Sequence, residues 1–142
     1  MNVFLNVGAK MPTNAHGTDA GWDLYAPLDG EVIVIYPRQS AVFDTGVHFD
    51  VPESISGHVI SKSGLNIRHG ILSTGLVDPG YTGSVVIKLY NFGNEPFPVH
   101  PGDKISQISF VPVVDVFLKE VDNMKVFGKS ERGFNGFGSS GK

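Results

Sequence analysis

The sequence predicts an all-β protein, on three observations. Runs of β-branched and aromatic residues recur at short intervals along its 142 residues, clusters of Gly, Pro, Asn and Asp divide them, and no long segment repeats its apolar residues at the helical period of about 3.6. Many short strands without intervening helices make a sandwich, a jelly roll or a barrel. The 18 glycines and 9 prolines imply many turns. A chain of this length is one ordinary domain, able to bury close to ~70% of the surface its unfolded form exposes.

The first strand reads from NVFLN, Asn2 to Asn6. In the segment Gly21 to Tyr25, period-two alternation puts Trp22 and Leu24 on one face and Asp23 with Tyr25 on the other, so the acid faces away from the tryptophan. The turn PLDG precedes EVIVIY, Glu31 to Tyr36, and further strands read from GVHFDV, Gly46 to Val51, and GHVIS, Gly57 to Ser61. SGLNIRHG holds the one short helix the pattern allows, Gly64 to Arg68, with Ser63 placed to cap its start and Gly70 to end it. SVVIKLY, Ser84 to Tyr90, alternates Val85, Ile87 and Leu89 against Val86, Lys88 and Tyr90, giving one wholly apolar face and one amphipathic face for a subunit or ligand. After the turns NFGNEP and VHPGD come KISQISFVPVV, Lys104 to Val114, and VFLKEV, Val116 to Val121, both read as strands.

Composition excludes several chemistries. Without cysteine there is no thiol nucleophile, thiolate metal site or disulfide, and the five histidines, at 16, 48, 58, 69 and 100, include no close pair for zinc. A formal charge of -3 with no basic run argues against duplex nucleic acid as a partner, because a phosphate backbone demands dense Lys and Arg. A small anionic ligand needs only a few local cations or a divalent metal. No segment approaches the ~20 apolar residues of a membrane span, and MNVFLNVGAK lacks the basic start and apolar core of a signal peptide, so a cytoplasmic location and no membrane partner are expected.

Four segments carry candidate chemistry. In LVDPGYTG, Leu76 to Gly83, Pro79 and Gly80 suit the centre of a type II turn whose ends, Asp78 and Tyr81, then lie within ~7 Å of each other, a carboxylate beside a ring. An ordinary Asp, with a pKa of about 3.9, acts as a base at neutral pH mainly through positioning beside a polarised electrophile. SKSGLN, Ser61 to Asn66, offers a lysine, hydroxyls and a glycine for phosphate, and Gln107 in PGDKISQ is an amide among apolar neighbours that needs a partner. The tail RGFNGFGSSGK, Arg132 to Lys142, joins an arginine fork, serine hydroxyls and two phenylalanines, Phe134 and Phe137, on glycine-rich backbone. Phosphate, donors and a flat heterocycle together describe a nucleotide.

Taken in order, AGWDLYA (Ala20 to Ala26), SKSGLN, GLVDPGYTG (Gly75 to Gly83), GDKISQI (Gly102 to Ile108) and RGFNGFGSSG (Arg132 to Gly141) resemble the five motifs of the trimeric dUTP pyrophosphatases, the dUTPase family. The resemblance spans almost the whole chain. It implies a distorted jelly-roll β-barrel over residues 1–125, a mobile C-terminal arm over 126–142 that closes on the active site, and a homotrimer in which three subunits build each site. It further implies hydrolysis of dUTP to dUMP and pyrophosphate with Mg²⁺. By the same resemblance Asp78 orients and deprotonates the attacking water, Tyr81 packs on the deoxyribose, and backbone groups of Gly75, Leu76 and Val77 read uracil. Lys62, Ser63, Gly64 and Gln107 hold phosphates, Arg132, Gly138, Ser139 and Ser140 reach the outer phosphates, Phe137 stacks over uracil, and Asp23 holds Mg²⁺ through water.

The chain departs from the family pattern at two positions. Most relatives have arginine where this chain has Lys62, a point charge without the bidentate fork, and some use an asparagine where it has Leu72. The related dCTP deaminases share the hairpin but follow it with a glutamate, where this chain has Lys88. A nucleotide-sensing or regulatory trimer would keep the pocket without turnover, and the intact Asp78 favours hydrolysis over it.

Overall fold

In a computed structural model that describes residues 1–128, 130 and 133, ten strands form three antiparallel sheets, with one short α-helix and a single 3-10 turn at Met124–Val126. In chain order the strands are β1 (Val3–Leu5), β2 (Gly21–Tyr25), β3 (Ile33–Ile35), β4 (Ser40–Phe49), β5 (Ile55–Ile60), β6 (Ile71–Leu72), β7 (Thr74–Val77), β8 (Ser84–Asn91), β9 (Phe97–Val99) and β10 (Lys104–Pro112), with helix α1 (Ser63–His69) between β5 and β6. One four-stranded sheet has the order β1-β4-β8-β6 and another the order β2-β10-β5-β7, while β3 pairs with β9 alone. The all-β expectation holds.

Packing follows from alternation. On β8, Ile87 and Leu89 are fully buried while Val86 is 52% exposed, so the strand lays one face on the core as its sequence pattern requires. Facing side chains from the second sheet, among them Leu24, Val59, Ile105 and Ile108, complete the cluster. Phe49 of β4 meets Phe110 of β10 edge to face with ring centroids 5.2 Å apart, an arrangement worth about 0.5–1.5 kcal/mol beyond simple burial.

Several expected elements shift or disappear. The strand read from Gly46 starts earlier, at Ser40, and ends at Phe49. Short strands Ile71–Leu72, Thr74–Val77 and Phe97–Val99 lie where the sequence pattern offered none, because neighbours with the right register capture them. Val116–Val121, read as a strand, forms no strand: Phe117 and Leu118 are 95% and 94% exposed, and β propensity without a partner edge does not order a chain. Helix α1 begins at Ser63 itself, its N-cap is Lys62 with no side-chain cap, and Gly70 ends it in the left-handed conformation as expected. Ser63 is therefore not the cap, and its hydroxyl is left for other work. Among the described residues, no helix is long and apolar enough to cross a membrane.

Candidate active site

Two groups of polar residues are placed by the second sheet, one at each end. At the first, strands β2, β10 and β5 lie side by side, and the register sets Gln107 opposite both Asp23 and Ile60. Asp23 is buried and accepts hydrogen bonds from two ammonium groups, Lys62 on one oxygen and Lys104, at 2.7 Å, on the other. Burial works to raise the Asp23 pKa, but the hydrogen bonds and charges of Lys104 and Lys62 outweigh it and hold the carboxyl below its ordinary value. The same contact raises the Lys104 pKa.

Beside this cluster opens a cleft of about 310 Å³ lined by Asp19, Asp23, Lys62, Gln107 and Ser109 among others. Gln107 donates from its amide to the Ser61 carbonyl at 3.1 Å, which spends one of its two amide hydrogens and satisfies the amide that the sequence left in need of a partner. Ser63 is exposed at the start of α1, and the space where Gly64 would carry a side chain is open, so a ligand can approach its backbone closely. Lys62, Gln107 and Ser109 line this cleft beside the carboxylates of Asp19 and Asp23, and their donors suit a strong acceptor. Phosphate oxygens are such acceptors.

The second group lies where β7 runs into β8. Tyr81 donates its N–H to the Asp78 carbonyl at 3.1 Å, and Gly80 has φ +74°, as the third position of a type II turn requires. No atom lies within 4 Å of a side chain placed on Gly80, so its glycine is there for the backbone alone. The turn is tied to the body by the Gly80 N–H on the Val51 carbonyl at 3.0 Å, and the Tyr81 hydroxyl donates to the Ser84 carbonyl at 3.1 Å. Behind that ring Gly83 leaves room no other residue would. Asp78 is exposed, and strand β7 is the edge of its sheet, so alternate N–H and C=O groups along Gly75, Leu76 and Val77 point away from β5.

These two groups are not brought together within one chain. Asp23, Gln107, Ile60 and Thr74 stand in one row across the sheet, and Asp78 is four residues beyond Thr74. At ~3.3 Å per residue and ~4.8 Å per strand, that is about 13 Å along and about 14 Å across, a separation on the order of 20 Å. Arg132, Phe137, Gly138, Ser139 and Ser140 lie outside the described residues.

Lys104 is the site residue the sequence reading passed over. A bulge between Lys104 and Ser106 sets Lys104 opposite Tyr25, two positions from Asp23, where simple alternation from Gln107 would not place it. The motif GDKISQI contained it, but only register gave it a role. Among the described residues no cluster of three or more His, Asp or Glu awaits a metal. Both oxygens of Asp23 are taken by ammonium groups, so a metal ion placed here would meet the carboxylate only through water.

The family model described as dUTPase matches residues 8–141. A deoxyuridine 5'-triphosphate nucleotidohydrolase from Clostridium tetani is 39% identical, covering 97% of this chain and 93% of its own, and one from Shewanella pealeana is 38% identical over 95% and 90%. Among solved structures, the dUTPase of Staphylococcus bacteriophage 80alpha with dUPNHPP superposes with a TM-score of 0.88 at 29% identity, covering 99% of this chain and 98% of that one. A variant of the dUTPase from phage phi11 of S. aureus, described with the coordination of a structural Mg(II) ion, gives 0.77 at 27% identity, over 87% and 97%.

Proposed function

The chain belongs to the dUTPase family, and from that premise we propose that its site hydrolyses dUTP to dUMP and pyrophosphate by attack of water on the α-phosphate, keeping uracil out of DNA and supplying dUMP. One observation carries the reading: an edge strand, β7, with one side unpaired, runs directly into a tight turn flanked by an exposed acid and a ring, Asp78 and Tyr81. The free backbone of Gly75 to Val77 pairs with the uracil edge, and the Tyr81 ring lies against the deoxyribose, where a 2′-hydroxyl has no room. Asp78 takes the proton of the attacking water. The new oxygen bonds to the α-phosphorus, the bond to the bridging oxygen breaks, and pyrophosphate departs with the electron pair.

Lys62, Ser63, Gly64 and Gln107 hold the phosphates in the cleft beside Asp23. Asp23 would hold Mg²⁺ there through water, and the ion would supply positive charge to the triphosphate. The separation of that cleft from Asp78 within one chain supports a homotrimer in which one subunit's hairpin faces another's cleft. The arm, 126–142, closes the site with Arg132, Ser139 and Ser140 towards the outer phosphates, Gly138 giving backbone approach, and Phe137 over the base. A cytoplasmic enzyme fits this substrate.

The deciding experiment is pyrophosphate release from dUTP, dCTP, dTTP and UTP, each with Mg²⁺ and with EDTA. Release from dUTP alone, lost with EDTA, is expected. Release from dCTP or UTP at a comparable rate, or none from any nucleotide, would overturn the reading.

A further inference from the structure

Turn chemistry explains the shape of Asp78–Tyr81 but not the direction in which it points. That direction is set at the root of the hairpin, where β8 leaves the turn and pairs with β4, and the pairing there is irregular: a bulge interrupts it between Asp44 and His48, with His48 opposite Ser84. The bulge is held from behind, since the Asn6 N–H donates to the Gly46 carbonyl at 2.9 Å and Gly46 has φ +65°, with Asn6 and Ala9 filling the space a side chain would need. A bulge beside a site re-aims the side chains that flank it. Both flanking residues here reach the hairpin.

His48 places Nδ1 2.8 Å from the Thr82 carbonyl, one residue past Tyr81. A carbonyl only accepts, so Nδ1 carries the proton of this hydrogen bond. The second nitrogen, Nε2, is buried with no hydrogen-bond partner among the described residues. An apolar side chain would fill the same space without leaving a polar atom unsatisfied, so packing alone does not account for the imidazole. Phe4 meets the ring edge to face at 5.5 Å and fixes its plane. On the other side of the bulge Asp44 accepts from the Ser84 hydroxyl and, at 3.0 Å, from the Gly46 N–H.

We propose that His48, backed by Asp44, is a positioning residue for the reaction: its Nδ1–H on the Thr82 carbonyl holds the root of the hairpin so that Tyr81 presents a fixed face to the sugar and Asp78 a fixed oxygen to water. Such a group acts through geometry. A displacement of about 1 Å at a reacting group can cost on the order of a hundredfold in rate, and loosening one of several tethers costs a fraction of that. The Gly80 and Tyr81 contacts remain as the other tethers.

This inference rests on the dUTPase reading, and its test separates the two. The measurement is kcat/KM for dUTP and for UTP in wild type, His48→Ala, His48→Asn and His48→Gln, each checked for an unchanged unfolding midpoint. Asparagine puts an amide N–H where Nδ1 stands, whereas glutamine carries its amide one bond further. His48→Ala is expected to lose about tenfold in kcat/KM for dUTP and to narrow the preference over UTP, His48→Asn to recover both to within about threefold, and His48→Gln to behave as the alanine variant. If the alanine variant fails to fold, the Asn and Gln pair decides alone. Wild-type efficiency and preference in Ala and Gln, or equal behaviour of Asn and Gln, overturns the positioning role, while a wild type inactive on dUTP overturns the enzyme reading and this inference with it.

Discussion

The two ends of the β2-β10-β5-β7 sheet treat their aspartates oppositely. Asp23 is buried, takes two lysine ammoniums and has its pKa held down, whereas Asp78 is exposed at the tip of a turn and no side-chain hydrogen bond reaches its carboxylate among the described residues. A carboxylate satisfied within its own chain serves structure and orientation. One left open serves a group that arrives from outside. In the proposed function the chemistry falls to the hairpin and the holding to the cleft, and the contrast can be attacked from both sides.

The largest effect is expected at the open end. Asp78→Asn should slow dUTP turnover at least about a hundredfold while leaving thermal stability as it was, since no side-chain hydrogen bond or ion pair reaches the carboxylate among the described residues. Steady-state kinetics beside a melting curve will show it, and near-normal turnover would put the base elsewhere. At the satisfied end the balance reverses. Asp23→Asn strands two lysines, so about 1–2 kcal/mol of stability should go, discounted for the partial exposure of the pair, together with about tenfold in kcat/KM.

That stability has a pH signature of definite sign. Because the folded Asp23 pKa lies below its ordinary 3.8, the contribution is whole above that value and is lost as acid carries the pH down through it towards the folded value. Urea titrations from pH 6 to pH 3 should therefore show the gap between wild type and Asp23→Asn closing at the acid end. A gap independent of pH would mean the ion pair is not its source.

Smaller changes sharpen the comparison. Gly80→Ala meets no steric neighbour and should cost about 1 kcal/mol through its left-handed backbone alone, with a larger loss of activity than of stability because the hairpin carries Asp78. Lys62→Arg supplies the fork in place of the point charge and should lower KM for dUTP by no more than about threefold, leaving kcat unchanged.

How much of this was legible beforehand differs by the range of the interaction. The Asp78–Tyr81 turn was readable because Pro79 and Gly80 encode it within four residues, and β8 because its alternation records which face is buried. Ser40–Thr45 was passed over although it pairs with β8, and Val116–Val121 was read as a strand although it pairs with nothing described, since β propensity measures fit to a pleated surface and not the presence of one. Phe97–Val99 hid behind Pro98, which an isolated two-stranded pair tolerates. Lys104 depended on a bulge, and the distance between the two ends depended on three registers in succession. Neither is written in any local stretch of residues.

The row that aligns Asp23, Gln107, Ile60 and Thr74, with Asp78 set well beyond it, bears on genetics as much as on mechanism. When a hairpin and a cleft that work together belong to different chains, a defect in one is confined to the polypeptide that carries it. Two inactive proteins, one lacking Asp78 and the other lacking Asp23, would then complement each other when dissociated and reassembled together, because some mixed assemblies pair an intact hairpin with an intact cleft. An allele with a damaged hairpin would spoil only the clefts it faces, and its dominance would be partial.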